Sequence, residues 1–244
     1  MIKSYGLIGY PLSHSFSKKY FTEKFQRELI TDHVYELFPI ESISRLPEIL
    51  SSNPTLAGLN VTIPYKEQVI QYLDSCSPVV EEIGACNCIK IEDGKLTGYN
   101  TDVIGFAKSL EPKLKSTHRK ALVLGTGGAA KAVHYALKEK GIDFLPVSRK
   151  RSDVSIAYED IDEQLLKEYT LIVNTTPLGM HPDIDKAPDI PYQFIGTEHY
   201  LFDLVYNPPI TTFLSMGKER GAEIENGADM LVIQAEASWD IWNQ

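Results

Sequence analysis

Apolar positions along the chain follow two rhythms. Tyr5–Ile8, His33–Phe38 and Leu56–Val61 are short runs of strand character. Between them Tyr20, Phe21, Phe25 and Leu29 recur at helical spacing, as do Ile43, Leu46, Ile49 and Leu50, so each set marks the core face of a helix. The first strand ends in the turn Gly9-Tyr10-Pro11, and the third breaks at Pro64. This β-α-β-α order predicts a mainly parallel sheet covered by helices. Glu111–Arg119 is polar and contains Pro112, the mark of a boundary region or an exposed loop. A second α/β unit starts at Ala121–Leu124, and a last helix spans Ala228–Trp242 with Met230, Leu231, Ile233, Ala237 and Ile241 as its apolar stripe.

Composition narrows the picture only slightly. A chain of 244 residues can build one large domain or two modest ones. A net charge of -9 argues against a nucleic-acid partner, which selects for a basic face. Cys76, Cys86 and Cys88 are too few for a disulfide framework, and the scattered histidines give no metal spacing, so free thiols in a reducing compartment are expected. The N-terminus lacks the apolar core of a signal peptide, and no apolar run approaches the ~20 residues needed to cross a bilayer. A cytoplasmic protein with neither membrane nor metal is the expectation. No feature specifies its oligomeric state.

Candidate chemistry begins at Leu124-Gly125-Thr126-Gly127-Gly128-Ala129-Ala130, which follows a strand and opens a helix running to about Lys140. Gly125, Gly127 and Ala130 fit the Rossmann spacing G-x-G-x-x-G/A, in which glycine admits a tight turn and the helix N-terminus attracts a pyrophosphate. The next strand, Phe144–Val147, ends in Ser148-Arg149-Lys150-Arg151, where an NAD enzyme usually carries an acidic residue. Cations there suit a 2′-phosphate, so the expected cofactor is NADP. A solvated basic loop is the alternative reading of the same run.

Four further segments carry polar groups at strand ends or turns. In Gly9–Ser17, hydroxyls follow the first strand, although Ser17 alone also reads as a helix N-cap before Lys18–Leu29. Lys66, in Asn60-Val61-Thr62-Ile63-Pro64-Tyr65-Lys66, stands just after a proline where a helix would begin, and alone reads as a surface charge. Gly98-Tyr99-Asn100-Thr101-Asp102 reads as a turn and cap before Val103–Leu110, and Leu171–Met180 as a buried strand ending in a polar turn.

In their order, these segments resemble the shikimate dehydrogenase family: the glycine turn, Asn-Val-Thr-x-Pro-x-Lys and Gly-x-Asn-Thr-Asp, then Asn174–Met180, Asp203-Leu204-Val205-Tyr206-Asn207-Pro208 and Met230–Ala235. The resemblance implies an N-terminal α/β substrate-binding domain (1–101 and 228–244), a Rossmann-type doubly wound NADP-binding domain (102–227) and a cleft between them. It implies NADP-dependent reduction of 3-dehydroshikimate to shikimate, with Lys66 and Asp102 as the catalytic pair. Ser15, Ser17 and Tyr206 are expected on the substrate carboxylate, and Thr62, Asn87 and Gln234 on ring hydroxyls. Cofactor contacts are expected from Gly125, Gly127, Gly128, Ala129, Ser148, Arg149, Lys150, Thr175, Met180 and Gly227. Lys18, Tyr20, Cys88, Ser148 and Ala235 depart from the family's common residues. A quinate/shikimate dehydrogenase using NAD, and a non-catalytic NADP-binding module, are the competing functional classes.

Overall fold

The computed structural model describes residues 2–12 and 15–244, and the chain divides into two compact units, Met1–Thr101 with Gln234–Gln244, and Asp102–Ile233. The first unit contains β1 (Lys3–Gly9), α1 (Phe16–Arg27), β2 (His33–Pro39), α2 (Leu46–Ser52), β3 (Leu56–Val61), β4 (Ser75–Cys76), α3 (Pro78–Ile83), β5 (Cys88–Glu92) and β6 (Lys95–Tyr99). Its sheet runs β2-β1-β3-β5-β6-β4. β1 lies parallel to both β2 and β3, as the alternating pattern predicts. The parallel arrangement stops at β5, which pairs antiparallel with β3 and β6 and makes the sheet mixed. The cause is local: Asp93 and Gly94 take φ of 50° and 75°, closing a two-residue hairpin whose twist suits antiparallel strands.

β1 is buried on both faces because successive side chains point opposite ways. Tyr5 and Leu7 join a cluster with Phe21, Phe25 and Trp242, whereas Ile8 joins Ile43, Leu46 and Val61. Leu29 does not belong to the core: α1 ends at Arg27, and Leu29 is 83% exposed with φ 56°. Ser15, not Ser17, caps this helix, its Oγ accepting from the Lys18 N–H at 3.4 Å. Ser17 therefore sits in the first turn.

The second unit contains α4 (Asp102–Leu110), β7 (Lys120–Leu124), α5 (Gly128–Glu139), β8 (Asp143–Ser148), β9 (Ile156–Ala157), α6 (Glu163–Glu168), β10 (Leu171–Asn174), β11 (Tyr200–Asp203), α7 (Thr212–Glu219) and β12 (Glu223–Glu225). Its strands are all parallel in the order β12-β11-β10-β7-β8-β9. That order reverses direction between β7 and β10, the topological switch point beyond which open α/β sheets bind ligands. Ala121 and Val123 of β7 fill one core and Leu122 and Leu124 the other, so both faces are covered. Glu111–Arg119 is a loop inside this unit, with a 3-10 turn at Glu111–Lys113.

The last helix, α8 (Ala228–Trp242), passes from the second unit into the first at Gln234. Its buried side chains are Met230, Gln234, Ala235, Ser238 and Trp242, a stripe that shares only Met230 with the apolar one expected. Two of the five are polar, and hydrogen bonds rather than hydrophobicity account for their burial. Trp242 closes the first unit: its ring stacks on Tyr5 at 4.8 Å, and its indole N–H donates to the Ile89 carbonyl at 3.0 Å. Trp242→Phe keeps an aromatic ring against Tyr5 but removes the pyrrole half and its N–H donor, so it should cost at least about 1–3 kcal/mol. Denaturant titration followed by the fluorescence of Trp239, then the sole tryptophan, checks this. Among the described residues no helix is long and apolar enough to cross a membrane, and no cluster of His, Cys, Asp and Glu could hold a metal.

Candidate active site

The glycine turn lies beyond the C-terminal end of β7, at the switch point. Gly125 takes φ 110°, a left-handed conformation that favours glycine, and a Cβ there would come within 2.6 Å of Thr175 Oγ1. Thr175, just beyond β10, donates from N and Oγ1 to the Leu124 carbonyl at 2.9 and 2.7 Å. Two expected cofactor positions are thus held against each other. Gly127 caps α5 without a side-chain bond, and the space around the Cβ positions of Gly127 and Gly128 is open. The first N–H groups of a 12-residue helix face that opening with a favourable dipole for an anion.

At the end of β8, Arg149 and Lys150 are exposed, and among the described residues neither forms an ion pair. Arg151 differs, because its guanidinium is engaged by Asp160, whose carboxyl that pairing holds below the usual range. Ser148 Oγ donates into its own loop, to the Lys150 carbonyl, and lies 3.1 Å from Ser155 Oγ. Two adjacent cations without an ion-pair partner among the described residues, at the position after the strand where a ribose-binding carboxylate would stand, fit a phosphorylated ribose better than a free diol. The open helix terminus and these cations together form a donor set suited to a dinucleotide phosphate.

Among the substrate candidates, the structure ties Asn87, Thr101 and Gln234 into one buried group. Asn87 Oδ1 accepts from the Thr101 N–H at 2.6 Å, and Asn87 Nδ2 donates to Thr101 Oγ1 at 3.0 Å. Thr101 Oγ1 lies 3.4 Å from Gln234 Oε1. Ser17, in the first turn of α1, lies close to the Tyr35 phenol. Thr62, half-buried after β3, is fixed by its N–H to the Ile8 carbonyl at 2.9 Å.

Lys66 opens no α-helix; it lies in a turn ahead of a 3-10 segment, Gln68–Tyr72. Its carbonyl accepts from the Cys86 N–H at 2.7 Å, directly before Asn87. Cys86 itself is buried, which pushes its thiol up to about 12. Asp102 follows Thr101 directly, as the buried first residue of α4. Tyr206 belongs to the second unit, on the loop after β11, as does Met180, which is 46% exposed after the left-handed Gly179. A Cβ at Gly227 would come within 2.2 Å of the Leu204 carbonyl oxygen, leaving no room for a side chain.

Asp203, at the end of β11, stands in a motif that assigns it no role, yet it organises the loops around Thr175 and Tyr206. Its carboxylate accepts from Asn174 Nδ2 at 3.0 Å, the Val205 N–H at 3.0 Å and Thr211 Oγ1 at 2.6 Å. Asn174 in turn accepts from Thr176 N and Oγ1 at 3.0 and 2.7 Å. Despite these bonds, burial raises Asp203 from 3.8 to about 6. The folded chain therefore holds this proton more tightly than the unfolded chain, and stability falls as pH rises from about 4 to about 6. Asp203→Asn should remove that slope, so the wild-type-minus-variant difference in unfolding free energy declines across this window and is flat above it.

An all-parallel sheet of this order, with a glycine turn at its switch point, defines a Rossmann-like dinucleotide-binding unit, here joined in one chain to a mixed α/β unit. The family model of the shikimate dehydrogenase substrate binding domain matches residues 7–89. Shikimate dehydrogenase (NADP(+)) of Clostridium beijerinckii is 40% identical over 250 residues, covering 98% of this chain and 92% of that protein. The protein of the same name from Caldicellulosiruptor bescii is 36% identical over 258 residues, covering 99% and 89%. The crystal structure of shikimate 5-dehydrogenase from Thermus thermophilus in complex with NADP(H) and shikimate has a TM-score of 0.87 at 30% identity, covering 99% of this chain and 93% of that one. The chain belongs to the shikimate dehydrogenase family.

Proposed function

We propose that the chain catalyses the reversible, NADP-dependent reduction of 3-dehydroshikimate to shikimate, a step toward chorismate and the aromatic amino acids. The observation that carries this reading is the fastening of two distant segments: Lys66 to Cys86 through the backbone, and Asn87, the next residue, to Thr101, which precedes Asp102. That link supports Lys66 and Asp102 as partners in one reaction.

NADP, when bound, supplies or accepts the hydride. Gly125, Gly127, Gly128, Ala129 and Thr175 hold its pyrophosphate, Arg149 and Lys150 its 2′-phosphate, Ser148 the adjoining ribose, and Met180 and Gly227 its nicotinamide end. Ser15, Ser17 and Tyr206 take the substrate carboxylate, and Thr62, Asn87 and Gln234 the ring hydroxyls. Carbonyl reduction builds negative charge on oxygen, which the Lys66 ammonium stabilises and protonates. In the oxidative direction the same nitrogen takes the hydroxyl proton. The Asp102 carboxylate orients the ammonium. The catalytic domain is proposed to comprise 1–101 and 228–244, and the cofactor domain 102–227. Three cysteines, none of them in a disulfide, suit a cytoplasmic setting.

Purified protein assayed with shikimate or quinate, each with NADP or NAD, tests the reading by nicotinamide absorbance. Shikimate with NADP should give the highest kcat/KM of the four. Quinate with NAD leading would reassign the enzyme, and no turnover in any pairing would make it a binding module.

A further inference from the structure

Beneath the proposed substrate contacts lies a second layer of polar side chains, all in the first unit and all buried: Tyr35, Asn60 and Ser238. None is needed to fill space, since Phe, Leu and Ala would do so without the cost of burying polar atoms. Their hydrogen bonds can be assigned a direction throughout. The Ser238 hydroxyl donates to the Gln234 carbonyl at 2.9 Å, so its oxygen is left to accept from Asn60 Nδ2 at 2.9 Å and from Thr101 Oγ1 at 3.1 Å. Asn60 Nδ2 also donates to the Asn87 carbonyl at 3.3 Å.

With its amide thus oriented, Asn60 presents Oδ1 to the Tyr35 hydroxyl at 2.8 Å. Burial keeps the phenol protonated by pushing its pKa far up, so the phenol donates to Asn60 and its oxygen is left as an acceptor near Ser17. The polarity runs without conflict from Tyr35 through Asn60 to Ser238, where Thr101 joins with its own hydrogen spent. Thr101 in turn accepts from Asn87, fixing which edge of that amide carries the donors; the second Nδ2 hydrogen of Asn87 meets no acceptor among the described residues.

We infer that Tyr35, Asn60 and Ser238 form a buried positioning relay that presets the hydrogen-bond polarity of the substrate groups, with the Tyr35 phenol offered to Ser17 at its carboxylate end and Asn87 and Thr101 at its hydroxyl end. The inference rests on the proposed substrate reading. It divides the labour between the residues: Ser238 governs recognition of ring hydroxyls, and Tyr35 governs Ser17 and so the carboxylate.

Ser238→Ala and Tyr35→Phe test this in the full-length protein, each deleting one oxygen. KM is measured for shikimate and for NADP, together with the inhibition constant of cyclohex-1-ene-1-carboxylate, which carries the carboxylate but no hydroxyl. Ser238→Ala should raise the shikimate KM about tenfold, as expected for one misdirected buried hydrogen bond, while the inhibitor constant and the NADP KM stay within about twofold. Tyr35→Phe should shift the inhibitor constant and the shikimate KM together. A loosened fold has no reason to separate the two ligands in this way. Shikimate KM values within twofold of wild type in both variants, or inhibitor and NADP constants rising in step with it in Ser238→Ala, would overturn the relay alone. A wild-type protein that fails to turn over shikimate overturns the functional reading, and the relay with it.

Discussion

Lys66→Ala is expected to lower kcat for shikimate oxidation by at least ~10²-fold while leaving the dissociation constant for NADP within about twofold, the signature of a lost acid–base group. The physical reason is charge: a ketone taking hydride becomes an alkoxide, and the ammonium is the cation proposed to meet it. Lys66→Arg should recover little. A guanidinium stays protonated at any working pH, so it can stabilise the alkoxide but cannot take a proton in the reverse direction. Single-turnover absorbance for the rate and fluorescence titration for NADP separate the two effects. Loss of NADP affinity in step with kcat would instead make Lys66 a structural residue.

The second large effect concerns cofactor choice. Arg149→Ala combined with Lys150→Ala should raise the KM for NADP about 10²-fold or more and leave the KM for NAD within about threefold. Each charge-assisted bond to a phosphate contributes about 1.5–3 kcal/mol, and NAD offers no 2′-phosphate to lose. Arg151→Ala is the informative control: its guanidinium is already engaged by Asp160, so its removal should leave the preference for NADP unchanged. Equal losses for both cofactors in the double variant would assign the pair a general role in the loop.

Much of this architecture is legible from periodicity. The strands β1, β2 and β3, the helix after the glycine turn and the strand before Ser148 follow from apolar spacing, and Gly125 from motif and context together. The antiparallel hairpin escapes a reading of β-α alternation, although Asp93-Gly94 is a local signal strong enough to give it. Leu29 is misplaced by spacing alone, because the spacing continues on paper after the helix has ended, and only its positive φ marks the break.

The buried stripe of α8 shows a different limit. Hydrophobicity selects Leu231, Ile233 and Ala237, yet Gln234 and Ser238 are the residues turned inward. Two polar residues four apart on a helix that otherwise packs inward are a usable sign of a buried network, but their partners Asn60 and Thr101 lie far away in sequence. No spacing rule pairs them. For the site, resemblance to a family is the source of the roles proposed for Lys66 and Asp102, which the chain alone leaves as a surface charge and a helix start. Tyr35 and Ser238 stay invisible in the sequence because they contact other side chains of the protein rather than forming part of any motif.

The most direct test of the Lys66–Asp102 pairing is a crystal structure of the chain with shikimate and NADP both bound. Lys66 Nζ and an Asp102 carboxylate oxygen should each lie within hydrogen-bonding distance of the one ring hydroxyl whose carbon faces the nicotinamide. A ternary complex in which either group stands away from that hydroxyl would contradict the pairing.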